Sequence, residues 1–508
     1  MTRIAIGLIA LVVIGIGACR FLLPERYVVN APIAQMVFGR RAETPAAEEI
    51  DTRLRVPQGF QIGVYAEGIS NARFLRFTPR GELLVSQPRA GRVVLVERDA
   101  DGDGRADGVR TLLADLNRPH GLDLYGPWLY VAESDAIGRI RFDAEIGRVS
   151  GAYERLVTDL PDSGNHWTRT LRFGPDGWMY VSVGSSCNAC EEEDERRAAI
   201  LRYRPDGSGF ELYATGLRNA VGFDWQPGTG ALYATDNGRD LLGDDFPPCE
   251  LNRVVRGGFY GWPVAHGARV PDPNLGAGQD ERIAASIAPA HGFGAHTAPL
   301  GITFVRGSRA PHAYQGAALV ALHGSWNRSE KSGYKVVSLH WDEDGRIWER
   351  DFAVGFERDE TVIGRPVDVA EGPDGAFYIS DDYAGLVWRV AEAEAGPANA
   401  RAATIRTLRS PAAPTPPANP LADLPLAERA ARTRRGEAIY QQHGCASCHL
   451  PGSGQVGVVI KPLERLAARY SLEELAALIA TPTPPMPVFA LARQERRDLA
   501  VYLLEAFR

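Results

Sequence analysis

One phrase returns six times through the middle of this chain: a Gly/Pro/Asp turn, then a short aromatic or aliphatic strand ending in a small residue. It reads TPRGELLVSQP at 78–88, LYGPWLYVAES at 124–134, GPDGWMYVSVG at 174–184, PGTGALYATDN at 227–237, YQGAALVALHG at 314–324 and GPDGAFYISDD at 372–382. Most copies stand about fifty residues apart, the period at which a tight turn feeding a buried strand marks a β-propeller. A single blade cannot bury its own faces, so six neighbours closing into a ring are expected over residues 50–392. A large β-sandwich would leave the spacing unexplained. The longer gap at 238–313 is expected to hold an insertion or long loop rather than a missing blade. The 54 Gly and 35 Pro suit many short strands joined by turns.

At 508 residues the chain exceeds one ordinary domain. A net charge of −7 gives no reason to expect nucleic acid or an anionic surface as partner. The chain opens MTRIAIGLIALVVIGIGACRFLLPERY, with an apolar run from Ile4 to Cys19 and three more apolar residues after Arg20. Residues 4–23 as a helix would reach across a bilayer. An uncleaved membrane anchor within 1–30 is preferred because apolar residues continue past Cys19. A lipobox-like IGAC, which would lipidate Cys19, and a cleaved signal peptide are the alternatives. All three export the rest of the chain, which places it at a bacterial inner membrane with its domains in the periplasm. Of six cysteines, Cys187 and Cys190 in CNAC have no second C-x-x-C to complete a zinc site, so a local disulfide is expected. Cys249 is left without an assigned partner.

From about Ala391 the texture changes. Residues 393–423 are Ala/Pro-rich and read as a linker. Residues 424–508 read as a small all-α domain: helical periodicity in LAERAARTRRGEAIYQQ, a Ser471 cap before LEELAALIA, and a closing amphipathic helix. Between them stands YQQHGCASCHLPGSG, whose Cys445, Cys448 and His449 form a C-x-x-C-H site, two thiols for thioether bonds and a proximal iron ligand. Downstream, TPTPPMPVF brings Met486, a soft thioether suited to be the sixth ligand of an electron-transfer haem. This part resembles a class I cytochrome c.

Within the presumptive propeller, His166 stands eight residues before a blade turn in SGNHWTRTLRFGPDG; Arg218 and Asn219 follow a Gly in YATGLRNAVGFDWQP; and TDNGRDLLGDDFPPCELNRVVRGGFYGWP is an acidic, turn-rich loop. Loops at one end of a propeller converge on its axis, so such groups can meet round one ligand. With HGSWNRSEKSGYKVV and GRPVDVAEGPDG, these segments resemble the sorbosone/glucose dehydrogenase family of quinoproteins, especially its sorbosone-dehydrogenase branch, over about residues 55–392. The resemblance implies a six-bladed propeller binding pyrroloquinoline quinone (PQQ) with calcium.

It also implies roles for matching positions. His166 would be the general base for a sugar hydroxyl. Arg218, Lys331 and Arg365 would hold the cofactor's carboxylates and quinone oxygens, Asn219 would hydrogen-bond nearby, and Tyr260 would lie close. The backbone oxygens of Gly238 and Arg239 would bind calcium. Three departures stand out: Arg239 replaces a proline of the glucose enzymes, Val367 a second arginine, and Val221 a polar residue. One or more contacts would then come from elsewhere, with Arg328 a candidate. Separately, DADGDGRAD at 99–107 resembles the start of an EF-hand loop, but Arg110 occupies the twelfth position, so a structural calcium and a plain acidic turn remain open.

The expectation is oxidation of a sugar (an aldose or sorbosone-like aldehyde) at PQQ. Electrons would pass to the tethered haem c and on to a soluble cytochrome, quinone or terminal oxidase. A calcium-dependent lactonase-like hydrolase propeller and a non-catalytic binding propeller are the rivals; neither gives the cytochrome a purpose.

Overall fold

Each of the six repeat phrases folds as the turn and second strand of one four-stranded antiparallel sheet, and together these sheets make the six blades. The computed structural model describes Asn30, residues 44–307 and 309–393, and in the C-terminal part 420–421, 424–443, 445, 449, 463, 466–480, 489 and 491–507. The second strands are Leu83–Gln87, Trp128–Ala132, Met179–Val183, Leu232–Asp236, Ala318–Leu322 and Phe377–Asp381, five of them buried along their whole length. Blades I to V run in chain order from Leu75 to Ala353. Blade VI takes three strands from the end of the propeller, and its fourth, Phe60–Ala66, from the beginning. That pairing closes the ring with backbone hydrogen bonds between distant parts of the chain and leaves no open edge there.

The repeat has a side-chain reason. In blade III the turn carboxylate Asp176 accepts from the Tyr180 hydroxyl and from Arg202 of the third strand. In blade VI Asp374, Tyr378 and Arg389 repeat the arrangement. The long gap is an insertion in blade IV: between its strands Pro248–Val254 and His291–Ala295 lie short strands and a helix, Asp280–Ala285. One insertion strand, Gly258–Phe259, adds a fifth, parallel strand to blade III.

The innermost strands meet round the axis, and their central residues alternate in charge: Arg76 in blade I, Asp123 in II, Arg172 in III, Asp224 in IV, Arg306 just beyond the strand of V, and Asp368 in VI. Each aspartate accepts a backbone N–H from the next blade: Phe173 to Asp123 (2.8 Å), Phe304 to Asp224 (2.8 Å) and Leu75 to Asp368 (2.9 Å). Arg76 pairs with Asp123 at 2.7 Å, and both Arg172 and Arg306 pair with Asp224. Arg76, Arg172, Arg306 and Asp368 border an axial cavity of about 190 Å³. The strands approach so closely that a Cβ on Gly222 would sit 2.1 Å from the Leu300 carbonyl oxygen.

The chain divides into two compact units, Met1–Leu408 and Arg409–Arg508. The second is helical: Leu426–Gln442, Leu466–Arg469, Leu472–Ala480 and Arg493–Ala506 enclose a core of Tyr440, Leu475, Ile479, Leu499, Val501 and Leu504. Its first and last helices cross at Gly436, where a Cβ would lie 2.1 Å from the Asp498 carbonyl oxygen. Ser471 and Glu474 cap the third helix reciprocally. Residues 1–29 and most of the linker lie outside the described residues, so the expected anchor, lipidated Cys19 and linker do too. Among the described residues no helix is long and apolar enough to cross a membrane.

Asp224 is fully buried and serves two guanidinium groups and two backbone N–H groups, those of Trp225 and Phe304. Asp224→Ala is therefore expected to lower propeller stability by about 3–5 kcal/mol, because it strands buried positive charge. Chemical denaturation followed by tryptophan fluorescence checks this.

Candidate active site

At one end of the ring the loops that follow the second strands of blades III to VI are bonded in succession, Asn188 to Asp240, the Leu241 N–H to Asn327, and His323 to Asp382. His166 lies on the segment joining blade II's last strand, Arg148–Val157, to blade III's first, Leu171–Phe173, and bonds to the loop after blade III's second strand. Its Nδ1 lies 2.8 Å from the Ser185 carbonyl oxygen and 2.9 Å from Ser185 Oγ. The Ser185 hydroxyl donates to the Cys187 carbonyl at 2.8 Å, so both of the ring's partners there act as acceptors. Nδ1 must then carry the proton, and Nε2, without a partner among the described residues, presents a lone pair. Burial first, then the Arg218 guanidinium, pushes the His166 pKa down to about 3. The imidazole is neutral, and its basic nitrogen is open, at any pH near neutrality.

Gly184 lies between His166 and Asn219, since a Cβ there would come within 2.6 Å of both side chains. The Asn219 Oδ1 is buried with no hydrogen-bond partner among the described residues. Arg218 is buried, and all five of its N–H donors are used within the chain. Nε and one terminal amino group bind Asn188, the same amino group also binds Asp240 at 2.9 Å, and the other binds the carbonyls of Asn237 (3.1 Å) and Gly238 (2.9 Å). No donor remains for an incoming carboxylate in this arrangement; the guanidinium instead pins the 237–240 loop. One lone pair of the Gly238 carbonyl is thus taken, which leaves the other for a hard cation beside the Asp240 carboxylate. The Arg239 side chain turns away to Asp272 and Asn274.

Further round the ring stands a cluster that the sequence reading passed over. His323, directly after blade V's second strand, sits 2.9 Å from Asp382, directly after blade VI's, and Asp382 also binds Arg73 at 2.8 Å. Arg73 lies over the ring of Trp167, 5.7 Å from its centroid, and so ties this cluster to the His166 loop. Arg365 holds the carbonyls of His323 and Gly324, and its remaining terminal nitrogen has no partner among the described residues. Burial, with Arg365 next, takes the His323 pKa down to about 4. The signal lay in the repeat itself: in blades II to VI the residue after the second strand is polar or glycine, and His323 and Asp382 occupy that position. Val221, Leu300 and Val367 pack together as a small apolar cluster, so two of the three departures share one contact.

The other expected contacts are engaged elsewhere. Lys331 binds Glu360 and Asn30, each at 2.9 Å. Arg328 binds Asp244 and Asp245. The Tyr260 hydroxyl donates to the Arg253 carbonyl and accepts from Val255 N–H. Cys187 and Cys190 form the expected disulfide, and Cys249 is a buried thiol. In the 99–107 turn, Asp99 accepts backbone N–H bonds from Gly102, Asp103 and Gly104. In the helical unit, the His449 N–H bonds the Cys445 carbonyl at 3.2 Å, one helical turn apart. Cys448 and Met486 lie outside the described residues.

Fold and site define a six-bladed propeller with an imidazole base among guanidinium groups at one end, followed by a cytochrome c domain. The chain belongs to the TrAA12-like family, whose model matches residues 54–247 and 266–393. A second model, cytochrome C oxidase, cbb3-type, subunit III, matches residues 431–503. An uncharacterized protein of Borreliella burgdorferi is 29% identical over 366 residues, 68% of this chain and 93% of that one. The pyrroloquinoline quinone-dependent pyranose dehydrogenase of Coprinopsis cinerea is 24% identical over 415 residues, 68% of this chain but 55% of that protein. The calcium structure of Trichoderma reesei Carbohydrate-Active Enzymes Family AA12 shares the fold at a TM-score of 0.57 and 22% identity, covering 67% of this chain and 97% of that one.

Because Arg218 uses five donors and a lysine offers three, Arg218→Lys should leave buried acceptors unpaired and destabilise the propeller by about 2 kcal/mol or more. Thermal denaturation measured beside the parent checks this.

Proposed function

We propose that this protein is a PQQ-dependent dehydrogenase of sugars, an aldose or sorbosone-like aldehyde, that passes electrons to its own c-type haem and on to a respiratory acceptor. One observation carries the reading: an imidazole held in a single tautomer, its Nε2 bare, stands beside an orphaned buried carboxamide oxygen on a chain that ends in a cytochrome c domain. The pyranose dehydrogenase relative, by its name, uses the same quinone, which supplies a two-electron acceptor when bound. The polar atoms left open at the site are Asn219 Oδ1, one terminal nitrogen of Arg365 and the buried Arg73 Nε. The two arginine donors suit a flat ligand rimmed by carboxylates and carbonyls, while Asn219 Oδ1, an acceptor, suits an N–H or O–H on it. Lys331, Arg328 and Tyr260, already bonded within the chain, would support that rim unless their partners are displaced.

His166 would take the proton of the sugar hydroxyl at Nε2 while Ser185 holds the ring from behind. The surrounding arginines keep the free base neutral and then favour release of the proton it has taken. A calcium ion, as in the calcium structure of the Trichoderma reesei protein, would use the Gly238 and Arg239 carbonyls with Asp240 near. Cys445, Cys448, His449 and Met486 would hold the haem, a one-electron acceptor. The N-terminal segment would anchor the chain at the periplasmic face of a bacterial inner membrane, beside a soluble cytochrome, quinone or terminal oxidase.

Full-length protein supplied with PQQ and calcium is expected to show the reduced haem α-band when offered one or more of a panel of aldoses and aldehydes. Protein without PQQ should not. Failure across the panel overturns the reading. His166→Gln is expected to lower kcat/KM by about 10²–10⁴-fold, the usual contribution of a positioned base. The sign of the pKa shift adds a pH test. A base that loses its proton above about 3 leaves no acid limb between about pH 5 and 8. A limb near the ordinary imidazole value that vanishes in His166→Gln would overturn the lowered pKa while marking His166 as the titrating group, and one that persists would belong to another group.

A further inference from the structure

We propose that the four-residue ring closed by the Cys187–Cys190 disulfide positions both His166 and Arg218, and that Asn188, carried on that ring, is the residue through which it acts. The inference rests on the reading of His166 as the base. Every bond needed to transmit position is present. Asn188 accepts from Arg218 twice, at its carbonyl (3.0 Å) and at Oδ1 (2.9 Å). The same Oδ1 accepts the Asp240 N–H at 2.9 Å, and Nδ2 donates to the Asp240 carbonyl at 3.0 Å. One side chain therefore grips Arg218 and the 237–240 loop together.

The residue before it in the ring works in the other direction. The Cys187 carbonyl takes the Ser185 hydroxyl proton, which leaves Ser185 Oγ as an acceptor toward His166. The Ser185 N–H returns to the Arg218 carbonyl at 2.7 Å and closes the circuit. Glu192 braces the turn from outside by accepting from the Ser186 N–H and hydroxyl, each at 2.7 Å. A network of this kind on an open surface loop would fray, because fixing each backbone residue costs conformational entropy. The disulfide removes that freedom from the residues at both ends of Asn188.

The charged groups acting on His166 are Arg218, Arg197 and Arg169, all positive, and the ring is shielded from water. Opening the loop would admit water and release Arg218, and both changes favour the protonated imidazole. The test uses full-length protein and two variants, Cys187→Ser with Cys190→Ser, and Asn188→Ala. Histidine-labelled NMR follows the His166 signal, assigned by its loss in His166→Gln, as pH falls from 8 to about 4. The parent signal should stay neutral throughout. In both variants it should titrate at higher pH, and kcat/KM should fall about 10–100-fold, the effect of a misplaced base. A folded double variant whose His166 titration and kcat/KM stay within twofold of the parent overturns the proposal. If the double variant does not fold, Asn188→Ala, which keeps the disulfide, decides by the same two readouts. Should no sugar reduce the parent's haem, the functional reading fails while the NMR titration still judges the positioning role.

Discussion

The propeller depends on how six inner strands can be brought together round an axis where their backbones crowd one another. Three buried aspartates answer this, each accepting the first-strand N–H of the following blade. A carboxylate in such a place is costly unless paired, and Arg76 supplies the pairing at Asp123, Arg172 and Arg306 at Asp224. The balance differs among the three. At Asp224 burial pushes the pKa up, but Arg172 and Arg306 outweigh it and the net shift is down. At Asp368 burial wins and the pKa rises to about 7. Blade-to-blade contact is thus specified by polar groups as well as by packing, which makes the ring's size and order hard to change.

With the inner end closed by these charges, chemistry is left to the loops at the opposite ends of the second strands. There the excess of guanidinium over carboxylate near His166 has two effects. It holds the imidazole neutral, and it surrounds the vacant donors and acceptors of Asn219, Arg73 and Arg365 with positive field. The arginine that the family resemblance singles out for direct cofactor contact, Arg218, is used by this chain as a rivet. Its five donors hold Asn188, Asn237, Gly238 and Asp240, so the site's shape is built before any ligand enters.

The ring, its blade count and the helical appendix were legible because each follows from local pattern. A turn, a buried strand and a fixed period repeat without reference to distant residues, and C-x-x-C-H is a contiguous motif. His166 and Asn219 were legible through their motif context. The alternation of Arg and Asp along the inner strands was also written in the chain, as LRF at 75–77 and 171–173 against LDL at 122–124 and FDW at 223–225. It carries meaning only when the strands stand side by side. His323, Asp382 and Arg73 were missed for the same reason: they come from three separate segments and meet only round the ring.

Sequence alone determined the class of fold, the pair of redox-type domains and the identity of the candidate base, since strand period and contiguous motifs are properties of short stretches. Tertiary structure decided which charges are spent and which are open. The guanidinium groups of Arg218 and Arg365 look alike along the chain, yet one has every donor occupied and the other keeps a nitrogen unpaired among the described residues. The reason is geometric: a side chain's hydrogen-bonding capacity is consumed by whatever backbone the fold sets within about 3 Å of it, and that neighbourhood comes from blades far apart in the chain.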